Sequence, residues 1–182
     1  MSSEPSDAEH AGKPPTQGSR ADGRRLDERD WAEFEYALWQ LGGAFARWRR
    51  EGLASVSELN LNGTEAAILH VVHMNGVPKG IMEISRLLHR DDLPNLQYGL
   101  KKLQQLGLVA KLGASRKMMN YDVTDKGRKI VESFLRQRRD TLLTLLEHVA
   151  NLPEELRYMI TRMHLLTGIY DQSSDLVRTH QP

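Results

Sequence analysis

Residues 88–124, LHRDDLPNLQYGLKKLQQLGLVAKLGASRKMMNYDVT, decide the fold. Asp91 or Asp92 supplies a capping carboxylate, and Pro94 falls in the first helical turn, where no intrahelical N–H is needed. Leu96, Leu100, Leu103 and Leu106 then recur at helical spacing and predict the buried stripe of a helix over 93–107, which Gly107 ends. At about 100° per residue, Gln97, Tyr98, Lys101 and Gln105 project from the opposite side, with Asn95 and Lys102 at its margins. No acid is among them. Amides read purine edges, lysines neutralise phosphate and a tyrosine hydroxyl bonds to a nucleic-acid backbone, although an ordinary solvated face has the same composition. After the helix, LVAKL and MMNYDVT are β-prone runs joined by GASRK. They predict a two-stranded hairpin with Ser115, Arg116 and Lys117 at its tip.

Working upstream, Asn62 or Thr64 caps a helix carrying Ala67, Ile68, Val71, Val72 and Met74, which NGVP stops. An extended PKGI leads into IMEISRLLHR, a short helix with Ile81, Ile84, Leu87 and Leu88 turned inward, ending at RDD. Its tight connection to the helix over 93–107 is a helix-turn-helix spacing. Three helices and a hairpin make a winged helix-turn-helix, whose second paired helix enters the major groove while the wing reaches flanking DNA. The fold class is therefore mainly α with a small β-hairpin wing, the winged core spanning about 61–128.

Two apolar regions flank that core. Trp31, Phe34, Leu38, Leu41, Phe45 and Trp48 line one stripe of a helix ending near Gly52. Core packing and an intersubunit seam explain the stripe equally well, since a spacing near 3.5 also suits helices packed along their length. Downstream, Ile130, Phe134, Leu135, Leu142, Leu145, Leu146 and Val149 read as one long helical pattern, which NLPEEL breaks. A last helix follows from Pro153, with Leu156, Ile160, Met163, Leu166 and Tyr170 on one side and Glu154 and Glu155 favourable to its dipole. The flanking helices, about 30–52 and 125–172, hold more apolar surface than one small winged domain can cover, which predicts a homodimer. An intramolecular helical hairpin is the alternative. Residues 1–29 contain almost no apolar side chain and read as a disordered tail, and 173–182 as a flexible C-terminus.

The bulk properties agree with one folded domain: 182 residues, 40% hydrophobic, 27% charged and a formal net charge of +1. No apolar run approaches the roughly 20 residues that span a bilayer, so no membrane partner and a cytoplasmic location are expected. The absence of cysteine excludes disulfides, thiolate metal sites and a thiol oxidation switch. Charge is unevenly placed. Residues 79–139 carry fourteen Lys and Arg against six Asp and Glu, a surplus of eight on a nearly neutral chain. Such a local surplus is what phosphate neutralisation with counterion release requires. Catalytic patterns are weak: His70 and His73 lie three apart on a helix and Glu147 adjoins His148, but no third metal ligand stands at a recognisable spacing. No glycine-rich phosphate loop is present either. Neither enzyme activity nor a cofactor is expected.

The stretches LNGTEAAILHVV, IMEISRLLHRDDLPNLQYGLKKLQQLGLVAK and YDVTDKGRKIV resemble the MarR family of winged-helix transcriptional regulators over residues 30–172. The most specific pieces are KKLQQLGLV at the exit of the recognition helix and VTDKGRKI after the wing. The wing itself is shorter than usual in the family and lacks the aspartate that positions an arginine, and RDDLPNLQYGL is unlike the Ser/Thr-rich recognition helices common there, which marks a divergent branch. The resemblance implies a homodimer that represses transcription from a palindromic operator in double-stranded DNA. It also allows a small-molecule effector at the junction of the dimer and winged regions. The expected DNA contacts are Asn95, Gln97, Tyr98, Lys101, Lys102, Gln105, Ser115, Arg116 and Lys117. A winged-helix module that binds another protein is the alternative reading.

Overall fold

The computed structural model describes residues 27–113 and 119–180, so most of the expected N-terminal tail and the hairpin tip lie outside the described residues. The chain divides at Gly43 into two units. Helix α1 (Glu28–Val56) begins in the first unit, where Trp31 and Phe34 sit with ring centroids 5.1 Å apart and Trp31 donates its indole N–H to Glu35. Phe34, Leu38 and Leu41 are exposed. The helix continues in the second unit one turn past the expected stop at Gly52, because Leu53 is buried and Gly52 fits under Phe134, whose ring would lie 2.8 Å from an added Cβ.

The second unit contains the winged core. Helix α2 (Gly63–His73) is capped by Asn62, whose side chain accepts from the backbone N–H groups of Thr64 and Glu65 while the Glu65 carboxylate accepts from the Asn62 N–H. This reciprocal box satisfies two of the donors that every helix start leaves open. After a 3-10 turn, Met74–Gly76, with Asn75 and Gly76 at positive φ, the extended PKG segment forms strand β1 (Lys79–Gly80). Helices α3 (Ile81–Leu88) and α4 (Leu93–Gln105) follow, joined through His89 in the left-handed region at φ 52°. Asp92 caps α4, accepting from the Asn95 N–H at 3.2 Å. Leu87, expected inward, is exposed. Ser85 takes the inner position instead, two residues earlier on the helix, and donates to the Arg90 carbonyl across the turn.

Strands β2 (Val109–Leu112) and β3 (Asn120–Val123) form the wing, with Val109 opposite Val123 and Leu112 opposite Asn120. The sheet has three strands rather than the expected two, because β1 pairs antiparallel with β3, Lys79 opposite Tyr121. Ile68, Val72, Ile84, Leu96, Leu100, Leu103 and Leu108, all essentially inaccessible to solvent, fill the space between α2, α3, α4 and the sheet. Each such side chain contributes about 1.5–3 kcal/mol by leaving water.

Helix α5 (Asp125–Arg138) starts at a tight junction with the wing. Thr124 caps it by accepting from the Gly127 N–H, donates its hydroxyl to the Gly107 carbonyl, and donates its backbone N–H to the Leu108 carbonyl. A Cβ at Gly127 would lie 2.2 Å from the Leu108 carbonyl oxygen, so only glycine fits. The long helical pattern expected over 130–149 is interrupted. A π-helical turn (Arg139–Leu143) and a single α-turn, α6 (Thr144–Leu146), follow α5 before the chain turns at Asn151, φ 60°. Helix α7 (Leu152–Thr179) then runs past the boundary expected at 172. None of its residues is buried.

Candidate nucleic-acid interface

The outer face of α4 is set by what its inner face must bury. Leu96, Leu100 and Leu103 enter the core, and Gly99 lets the helix cross α2 so closely that an added Cβ would lie 2.7 Å from the Ile68 Cδ1. With those four positions inward, Asn95, Gln97, Tyr98, Lys101 and Gln105 are left exposed together, as the periodicity predicts. Tyr98 is 65% exposed, too open for a core role. Between Leu93 and Gln105 there is no acid; Asp91 and Asp92 stand before the helix start. The face can donate and accept hydrogen bonds and supply positive charge.

Lys102 does not join that face freely. Its ammonium lies 2.9 Å from the Glu65 carboxylate and 3.4 Å from the Asn60 carbonyl oxygen. Glu65 is wholly buried. Lys79, part of the basic surplus in the sequence, is also buried and donates to the carbonyls of Met74 and Val77, while Lys126 donates to the Leu106 carbonyl at the end of α4. These three lysines hold structure, so the charge available to a ligand is smaller than the sequence count. The expected wing contacts Ser115, Arg116 and Lys117 lie outside the described residues.

The start of α2 gathers cations from three other elements. Arg49 of α1 donates to the Gly63 carbonyl at 2.9 Å, Arg90 of the α3–α4 turn to the Thr64 hydroxyl at 2.7 Å, and Lys102 of α4 to Glu65. Sequence reasoning assigned no role to Glu65, although Asn62 followed three residues later by a glutamate is the signature of a reciprocal cap.

Behind this junction lies a cavity of about 140 Å³, walled by Phe45, Trp48, Phe134, Arg49, Arg138 and His70 among others. Trp48 packs on Phe134 with centroids 5.3 Å apart. The Nε atoms of Arg49 and Arg138 are buried there without a hydrogen-bond partner. Burial, then the charges of Arg138, His73 and Arg49, lowers the pKa of His70. Burial, with Arg90 nearby, also lowers that of Arg49. Among the described residues no three His, Asp or Glu side chains are gathered to hold a metal. No described helix is long and apolar enough to cross a membrane.

This geometry defines a winged-helix domain with a polar recognition helix, and residues 61–127 match the sequence family described as a winged helix DNA-binding domain. At the level of the whole fold, the chain is similar to MarR-family transcription regulators, as its sequence implies. A MarR family protein from Bacillus stearothermophilus superposes with a TM-score of 0.55 at 16% identity, over 82% of this chain and 99% of that one. Staphylococcus aureus MarR in complex with salicylate and kanamycin gives 0.62 at 14% identity, over 80% and 95%. The Mycobacterium tuberculosis transcriptional regulator MosR in complex with DNA gives 0.56 at 16% identity, over 74% and 96%. No curated protein matches the sequence. The matched domain is a DNA-binding one, and the fold is shared with these solved regulators.

Proposed function

We propose that the protein is a homodimeric transcriptional repressor that reads a palindromic operator. The observation that carries this reading is the exposed, acid-free face of α4 beside the wing. In the bound state α4 lies in the major groove, with Asn95, Gln97 and Gln105 toward base edges, and Lys101 and Tyr98 toward phosphate. Ser115, Arg116 and Lys117 of the wing tip hold flanking DNA. DNA in the solved complex of the similar MosR supports the same use of the fold.

Dimerisation is supported by α7, which exposes Leu156, Ile160, Met163 and Tyr170 along one side, and separately by Phe34, Leu38 and Leu41 of α1. Apolar stripes of this length stay covered in soluble proteins, and a second copy supplies the same stripe in return. The aromatic cavity with two buried guanidinium nitrogens supports a small anionic effector with an apolar body, bound behind the start of α2. It lies beside the Arg49 contact to Gly63, through which an occupant would act on α2.

The test is a fluorescence anisotropy titration at several salt concentrations, using a duplex selected by the protein from a random library and a mixed-sequence duplex. Lys101→Ala is expected to weaken binding to both and reduce the salt slope by about 0.9 per lost phosphate contact. Gln97→Ala is expected to lose about 1–3 kcal/mol on the selected duplex and little on the mixed one. Absence of salt-dependent binding by the wild-type protein would instead favour a module that binds another protein.

A further inference from the structure

We infer that Glu65 and Lys102 form an ionic clamp that sets the rotation of the recognition helix, which makes Lys102 a positioning residue rather than a phosphate contact. The DNA part of this inference rests on the function proposed above; the clamp itself does not.

Beyond the buried leucines of its inner face, two specific contacts join α4 to α2. Gly99 brings the helices together at Ile68, and one turn later the Lys102 ammonium meets the Glu65 carboxylate. Apolar packing is non-directional and resists a small roll of the helix less sharply than a hydrogen-bonded ion pair does. A second, directional contact at a neighbouring turn limits that roll. Side-chain tips lie about 5–6 Å from a helix axis, so a roll of about 20° would move Gln97 or Lys101 by about 2 Å, enough to lose a hydrogen bond to a base.

The anchor end is itself rigid. Glu65 has 1% of its side chain exposed, and its two oxygens accept from the Asn62 backbone N–H at 2.9 Å and the Asn62 amide at 2.8 Å. Lys102 is therefore the only cation among the described ion pairs that reaches this buried carboxylate. Its own side chain is 35% exposed, and the ammonium has a second acceptor in the Asn60 carbonyl oxygen. A lysine that left Glu65 to reach a phosphate would strand a buried charge, which costs more than an exposed phosphate contact returns.

A double-mutant cycle separates the two roles. Lys102→Met is expected to lower Tm by about 5 °C or more, because Glu65 stays buried without its counter-charge, and to weaken the selected duplex about tenfold. Glu65→Gln combined with Lys102→Met removes both charges and is expected to regain most of the Tm and most of the DNA affinity, with the wild-type salt slope. A double variant that stays as weak as Lys102→Met, with a slope reduced by about 0.9, would make Lys102 a phosphate contact and overturn the inference. An unchanged Tm in Lys102→Met would overturn it as well. Should the wild-type protein bind no DNA at low salt, the proposed function falls, and the Tm cycle still decides whether the clamp exists.

Discussion

The winged core and the last helix use apolar residues in opposite ways. Between Leu61 and Phe134 the chain turns most of its large aliphatic side chains inward, Val77, Met82, Leu87 and Leu112 excepted, and Ile68, Ile84, Leu100 and Leu103 retain at most 1% of their surface. Over Leu152–Thr179, ten large apolar or aromatic residues are at least 36% exposed and none is buried. The contrast shows that local pattern and stability are separate matters. The core closes on itself through contacts within one chain, whereas α7 leaves Leu156, Ile160 and Met163 exposed on one side, although Asp171 meets His89 at 3.0 Å. A region of the first kind has a stability independent of concentration; one of the second kind depends on mass action.

The same substitution should therefore behave differently in the two places. Leu103→Ala is expected to cost about 2–5 kcal/mol at any protein concentration, measured by urea denaturation, since it opens a cavity in a closed core. Leu156→Ala is expected to change the midpoint only through its dependence on concentration. Equal, concentration-independent losses at both positions would remove the distinction. Next in size, Ile160→Asp is expected to weaken self-association at least about 100-fold while the circular dichroism spectrum of the core persists. Sedimentation equilibrium checks it, and a wild-type chain that is monomeric at micromolar concentration would contradict the proposed dimer.

A smaller effect concerns pH. His70 faces Arg49, Arg138 and His73, and its pKa is lowered from the ordinary 6.5. Because the folded state resists protonation that the unfolded chain accepts, His70 disfavours folding as pH falls below about 6.5 and has no effect well above it. His70→Gln is expected to flatten the decline of Tm between pH 7 and 5, and an unaltered profile would count against the half-buried site. The smallest expected change is Gly42→Ala in α1. An added Cβ meets nothing within 4 Å, so the helix should gain about 0.5–1 kcal/mol, seen as a slight rise in Tm.

Much of the core was legible in the sequence, and the reasons are particular. Leu96, Leu100 and Leu103 repeat at helical spacing, Pro94 stands at the helix start and Gly107 past its end, and each signal is local. By the same geometry the exposed set Asn95, Gln97, Tyr98, Lys101 and Gln105 followed from the buried one. The structural bonds of Lys102 and Lys79 were not legible, because a lysine's charge says nothing about whether its partner is solvent, a carbonyl five residues away or a buried carboxylate on another helix. Strand β1 escaped because two residues have no periodicity, and its pairing with β3 depends on residues about 40 positions later. The π-helical turn at Arg139–Leu143 left the apolar spacing intact and so gave no sign of itself. Leu87 shows the limit of counting apolar residues on a two-turn helix, where Ser85 took the inner place.

The most direct test of the account is the stoichiometry and spacing dependence of the DNA complex. On a duplex with two symmetric half-sites about one helical turn apart, two chains are expected to bind together, with affinity falling sharply as salt rises. Inserting about five base pairs between the half-sites puts the second on the opposite side of the helix and is expected to abolish the paired complex, measured by native mass spectrometry and anisotropy on the same samples. Binding of single chains, indifferent to the insertion, would contradict the dimeric reader built from the winged core and the terminal helices.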